Sequence, residues 1–78
     1  MNEKLFKFIL KCQRNHYKPD VHTFWIDING GRAYVECRQN EVFVQSHTGG
    51  FVKEWCGTAV AATNRLERLG AVYETIDM

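Results

Sequence analysis

The dipeptide Asn29-Gly30 constrains the fold of this chain more than any other feature. It lies between two β-prone runs, 24–28 and 33–37, which are rich in aromatic and β-branched residues. Asn-Gly is the preferred centre of a two-residue type I′ hairpin turn, because both central residues of that turn need a positive φ. The dipeptide therefore predicts an antiparallel hairpin with one definite register.

This register places compatible side chains opposite each other. Trp25 faces Tyr34, which is an aromatic pair, and Asp27 faces Arg32, which is a pair of opposite charges. Because side chains alternate along a strand, aliphatic residues fill one side of the hairpin and aromatic residues lie on the other. The pairs support the same hairpin that the turn predicts.

A third strand extends this arrangement. A second tight turn around Gln39-Asn40 predicts an antiparallel strand over 42–46. The valines of that strand fall on the aliphatic side, so Phe43 joins Trp25 and Tyr34 on the opposite side. We call the side of the sheet that carries these three rings the aromatic face.

The first helix is predicted to run from about Glu3 to Asn15. Asn2 is a good N-cap, and Glu3 complements the positive end of the helix dipole. Pro19 stops the helix, because proline cannot continue a helical hydrogen-bond pattern. The inner stripe has helical spacing and comprises Leu5, Phe8, Ile9, Cys12 and His16.

The second helix is predicted within Lys53–Leu69. Gly70 suits the left-handed C-cap position, and Gly57 favours a regular start only at Thr58. The inner stripe follows a three-four spacing and comprises Trp55, Ala59, Ala62, Leu66 and Leu69.

Together these elements predict a single α+β domain over 1–78. A three-stranded antiparallel sheet has the second helix on its aliphatic side, and the first helix lies beside the second or at the sheet's edge. The stretch 71–76 predicts either a fourth edge strand or a docked tail.

Composition narrows the classes of function. Ten Lys and Arg against nine Asp and Glu give a net charge of +1, which is no electrostatic footprint for nucleic acid. Three cysteines without paired spacing predict free thiols in a reducing cytoplasm. The sequence has no signal-peptide pattern and no apolar run long enough to span a membrane, so we expect no membrane partner.

Catalytic and metal signatures are weak. Cys12 and His16 share a helix face, but no tight C-x2-C pair accompanies them. A tetrahedral zinc site would have to be completed from His22, Cys37, His47 or Cys56. Cys56, beside a helix N-terminus, is the one candidate for a lowered thiol pKa, and no partner is recognisable to activate it. We expect no enzyme activity, no metal site and no cofactor.

The order helix, three strands, helix resembles the double-stranded RNA-binding domain, and residues 61–70 are similar to the alanine-rich second helix of that family. The resemblance implies a helix-sheet-helix shape. The lysine cluster at the start of that helix is replaced by Trp55-Cys56-Gly57, and the RNA-contacting loop is replaced by Asn29-Gly30. No RNA-binding residue is therefore carried over, and nucleic-acid binding remains the alternative function.

The aromatic face itself has two interpretations. If the first helix covers it, the three rings form a second small core. If it is uncovered, it binds another protein or a second copy of the chain, since Trp, Tyr and Arg are enriched at interface hot spots. The predicted partner-binding residues are Trp25, Tyr34, Phe43, Arg32 and Arg38. Small chains of this kind are typical of inhibitors, adaptors and phage-encoded regulators.

Overall fold

The computed structural model describes residues 1–14 and 22–77. The described part is an α+β fold, as predicted, with five strands where three or four were expected. The strands form one antiparallel sheet in the order β4-β3-β2-β1-β5. The elements in chain order are α1 (Glu3–Arg14), β1 (His22–Ile28), β2 (Gly31–Arg38), β3 (Glu41–Ser46), a 3-10 turn (His47–Gly49), β4 (Glu54–Cys56), α2 (Ala59–Arg68) and β5 (Val72–Asp77).

The register of the β1–β2 hairpin is confirmed: Trp25 pairs with Tyr34 and Asp27 with Arg32. The predicted turn type is wrong. Gly30 has a φ of 76°, but Asn29 is not among the described residues with a positive φ, which fits a type II turn rather than type I′. The cause is tertiary, because the Asn29 N–H donates to the carbonyl oxygen of Leu69 at 2.8 Å and so docks the turn on the end of α2.

Both helices pack on the aliphatic side of the sheet. The alternate residues of β1, β2 and β3 form one buried core with the inward side chains of the two helices, which are Leu5, Ile9, Cys12, Ala59, Ala62 and Leu66. Phe8 of α1 meets Phe24 of β1 edge to face at a centroid distance of 5.1 Å. The largest fully buried side chains are Phe24, Leu5, Ile9, Ile26, Leu66, Val35, Val42, Val44, Thr63 and Cys37.

The first helix was predicted to lie either beside the second helix or at the edge of the sheet. In the structure it lies beside the second helix, because α1 packs against α2 and β2. At its end, Gln13 Nε2 donates to the Arg38 carbonyl oxygen at 3.1 Å, which ties α1 to β2. Neither described helix lies over the aromatic face.

The helix starts are set by side-chain caps. Asn2 Oδ1 accepts from the Leu5 N–H at 3.0 Å, which confirms the predicted N-cap of α1. Thr58 Oγ1 accepts from the Ala61 N–H at 3.0 Å and caps α2 in the same way. The predicted last residue of the first helix, its inner residue His16 and its stop at Pro19 lie outside the described residues.

The predicted C-cap of α2 is also confirmed. Gly70 has a φ of 83° and donates its N–H to the Glu67 carbonyl oxygen at 3.0 Å. The Ala71 N–H donates to the Leu66 carbonyl oxygen at 3.0 Å, which completes a Schellman motif. Glycine suits this position because a left-handed φ carries no Cβ penalty there.

The residues before Thr58 form a strand, so the expectation that Trp55 belongs to the inner stripe of the second helix is wrong. Trp55 lies in β4 and pairs with Phe43 of β3. Its three-four spacing with Ala59 is coincidental, since Gly57 disfavours a helix and Thr58 has the extended backbone of an N-cap.

The last strand confirms the edge-strand reading of 71–76. β5 pairs with β1 through Trp25–Asp77 and Asp27–Val72, and the register shifts between these two pairs. Within the shift, Thr75 Oγ1 accepts from the Asp27 N–H at 2.8 Å in place of a ladder bond. A bulge of this kind twists a sheet edge away from further pairing.

Candidate partner-binding face

The aromatic face is the part of the described fold that carries large exposed rings in one place. Trp25 is 42% exposed, and Tyr34 and Phe43 are partly buried. Trp55 joins them with 64% exposed, because its alternation with buried Cys56 points it to the same side as Phe43. Sequence reasoning missed Trp55; the signal that could have found it is the Gly57-Thr58 break before α2.

The four rings form two cross-strand pairs. The centroids of Trp25 and Tyr34 lie 4.8 Å apart with the ring planes tilted by 49°. Phe43 and Trp55 are direct partners in the β3–β4 ladder. Since Tyr34 pairs with Gln45 of β3, the second pair is displaced diagonally from the first. The rings thus form a band across β1 to β4 rather than one compact cluster.

Trp55 is oriented by two neighbours. Its Nε1–H donates to Glu41 Oε2 at 3.0 Å. Its indole also lies over the backbone of Gly57, where an added Cβ would come within 2.8 Å of the Trp55 Cη2 atom. A side chain at position 57 would displace the ring, so this ring position requires the glycine.

Arg32 closes the β1 end of the band. Its guanidinium lies 5.8 Å from the centre of the Trp25 ring, and Nε donates to Asp27 Oδ1 at 3.1 Å. Its Nη2 lies 3.7 Å from Asp77 Oδ2 of β5. Two carboxylates thus hold Arg32 against the ring, which is the charge pairing that the sequence predicted for Asp27.

Two cations lie over the central ring. The Arg38 guanidinium is 5.4 Å and the Lys53 ammonium 5.3 Å from the centre of Phe43. Glu36 lies between them, with Lys53 Nζ at 3.1 Å from Oε1 and Arg38 Nη2 at 3.7 Å from Oε2. Lys53 was not among the predicted site residues. It precedes β4, and the pairing of β4 with β3, which places it here, was not predicted from the sequence.

Each of these ion pairs has at least one partner that is 40% or more exposed, so each contributes only about 0 to 1 kcal/mol to stability. Their effect is to hold cationic groups beside aromatic rings. The structure places all five predicted partner-binding residues on the aromatic face, in two groups: Arg32 with Trp25 and Tyr34, and Arg38 with Phe43.

The cysteines lie on the other side of the sheet and differ from one another. Cys12 and Cys37 are both buried, and their thiols share a hydrogen bond. This bond lowers the pKa of Cys12 to about 7, while the same bond and burial raise the pKa of Cys37. The expectation of a lowered pKa at Cys56 is wrong, because burial of its thiol raises it and the charge of Glu54 adds to the effect.

Within 1–14 and 22–77, no three His, Cys, Asp or Glu side chains gather as a metal site would require. Neither α1 nor α2 is long and apolar enough to cross a membrane.

Fold and face together define a small α+β domain whose antiparallel sheet carries two helices on one side and a band of rings on the other. A scan of protein-family models and searches of curated proteins and of solved structures find no match to the chain.

Proposed function

We propose that this protein is a small non-enzymatic regulator, of the inhibitor or adaptor type, that binds a partner protein through the aromatic face. One observation carries the proposal: both described helices pack on the aliphatic side, while Trp25, Tyr34, Phe43 and Trp55 lie together on the other. Exposed apolar groups of this kind on a small domain are typical of protein interfaces.

The chemistry of the face supports a protein partner. Large rigid rings supply contact area at a small cost in side-chain entropy, and arginines beside them are typical of hot spots. The charges around the rings are mixed, with Arg32, Arg38 and Lys53 against Asp27, Glu36, Glu41 and Asp77. A polar rim around apolar rings is the usual anatomy of a non-obligate interface.

The test uses a photo-crosslinking amino acid in place of Tyr34, with the same group at Val60 on the exposed side of α2 as the matched control. A captured protein is purified and titrated against the wild type and Trp25→Ala. We expect crosslinking at position 34 alone and about tenfold weaker binding by the alanine variant. Equal binding by the folded variant would refute the proposal.

Sedimentation velocity over a wide concentration range tests whether the partner is a second copy. Self-association that disappears in Trp25→Ala identifies a homodimer through the aromatic face. A monomer at all concentrations directs the search to a different protein.

Nucleic-acid binding is the second candidate, supported by rings flanked by cations on an exposed sheet, an arrangement on which unpaired bases can stack. Four carboxylates on the same face weigh against it, because they repel a phosphate chain. Binding of an oligonucleotide that weakens steeply with salt would favour this candidate.

A further inference from the structure

We infer that the partner presents a carboxylate to Arg38, held against the Phe43 ring. This inference rests on the proposed function and names the partner's chemistry: a peptide segment in which Asp or Glu adjoins an apolar side chain. It depends on how the three cations of the face are used within the fold.

Arg32 and Lys53 each form a close, hydrogen-bonded ion pair with a carboxylate of the fold. Arg32 Nε donates to Asp27 Oδ1 at 3.1 Å, and Lys53 Nζ donates to Glu36 Oε2 at 3.2 Å. Lys53 also lies 3.1 Å from the other oxygen of the same carboxylate. The charge of each is therefore balanced within the fold, and Arg32 has a second carboxylate, that of Asp77, at 3.7 Å.

Arg38 differs from both. Among the residues that the structure describes, its guanidinium makes no hydrogen bond; its contacts are the ion pair with Glu36 at 3.7 Å and the Phe43 ring. Its side chain is 47% exposed. A guanidinium carries five N–H donors in a planar fork that matches the two oxygens of a carboxylate.

The acidic residue that could fill this fork is engaged elsewhere. Glu41 is the cross-strand partner of Arg38, but its carboxylate accepts from Trp55 Nε1 at 3.0 Å. Glu41 makes no ion pair with Arg38 within 4.0 Å in the described fold. The fork therefore remains available, beside a ring that an apolar group of the partner can cover.

The acidic residues of the aromatic face favour a peptide carboxylate over a nucleic-acid phosphate chain as the group that binds Arg38. A nucleic-acid strand would bring successive phosphates near Asp27, Glu36 and Glu41, whose negative charges repel them. A peptide brings a single carboxylate and no other charge. The balance of charge complementarity therefore favours an acidic peptide segment.

The experiment is a selection from a random displayed peptide library on the wild-type protein, with counter-selection on the Trp25→Ala/Phe43→Ala double variant. Selected peptides are synthesised with each Asp or Glu changed to Asn or Gln. Affinities are measured for the wild type, Arg38→Ala, Arg38→Lys and the control Arg68→Ala on α2. Circular dichroism establishes that each variant is folded.

We expect an essential carboxylate whose removal weakens binding about tenfold or more to the wild type and has little effect on Arg38→Ala. Arg38→Lys should recover only part of the affinity, because lysine lacks the fork. Glu41→Gln should bind more tightly, since it keeps an acceptor for Trp55 and loses a competing charge.

Two results would overturn this inference and leave the proposed function standing. The peptides could require the aromatic face but no carboxylate, or they could bind Arg38→Ala as tightly as the wild type. A library without any face-dependent binder would overturn both. Salt-sensitive binding of a uridine oligonucleotide that is lost in Arg38→Ala would overturn it in favour of nucleic acid.

Discussion

Replacing Trp55 by alanine tests whether the aromatic face is a binding surface or a second core. With 64% of Trp55 exposed, about one third of the residue is covered. That fraction of a ring residue's roughly 200 to 250 Å² corresponds to about 2 kcal/mol at about 25 cal/mol per Å². The figure is an upper bound, because the unfolded chain also covers part of the ring. We expect Trp55→Ala to lower the free energy of unfolding by about 1 to 2 kcal/mol.

Phe24→Ala is the matched core variant. Phe24 is 1% exposed and meets Phe8 edge to face at 5.1 Å. Truncating a fully buried phenylalanine costs about 3 to 5 kcal/mol through lost transfer energy and the cavity left behind. A chain of 78 residues has a total stability of about 4 to 12 kcal/mol, so this variant loses a large share of it.

The assay is urea denaturation followed by far-ultraviolet circular dichroism, which does not depend on the tryptophan that is removed. The two free energies of unfolding are compared at equal denaturant slopes. A loss at Trp55→Ala as large as that at Phe24→Ala would show that the ring belongs to a core. The binding function proposed for the aromatic face would then be refuted.

Three further changes probe other parts of the structure. Gly70→Ala should cost at least about 1 to 2 kcal/mol, since its φ is 83° and a Cβ there would overlap a side chain of the β1–β2 turn; an unchanged urea midpoint would contradict this. Gly57→Ala should shift the NMR signal of the Trp55 indole N–H, because the added Cβ displaces the ring, and an unmoved signal would show that the ring does not rest on the glycine. The pKa of Cys12, lowered to about 7 from 9.0, adds stability that is fully present above pH 9 and is lost as the pH falls through 7. The difference in unfolding free energy between the wild type and Cys12→Ser should therefore rise by about 2 kcal/mol between pH 7 and 9, and a flat difference would contradict the thiol–thiol bond.

Local signals in the sequence predicted much of the fold correctly. Asn2 and Gly70 mark helix ends because capping is a matter of a few neighbouring backbone groups. The alternation of residues in 24–28, 33–37 and 42–46 predicts which side chains share a face, because pleating has a period of two. Helical spacing is meaningful only within one helix. The spacing between Trp55 and Ala59 crosses the N-cap Thr58, and it therefore led to a wrong prediction for Trp55.

The candidate site was predictable in part. Trp25, Tyr34 and Phe43 share one face through register alone, which short turns determine. Lys53 and Trp55 join them because β4 pairs with β3. The segment between these two strands has no sequence pattern that predicts a turn of defined geometry. Their place on the face follows from the pairing of strands joined by a longer loop.

The sequence by itself determined the three-stranded register, the helix caps and the grouping of three rings, since each depends on residues close along the chain. Only the tertiary structure decided that α1 lies beside α2 and that Asn29 has no positive φ. It also decided that Arg38 keeps an unfilled fork. Such choices depend on contacts between distant segments, whose energies no local pattern of residues contains.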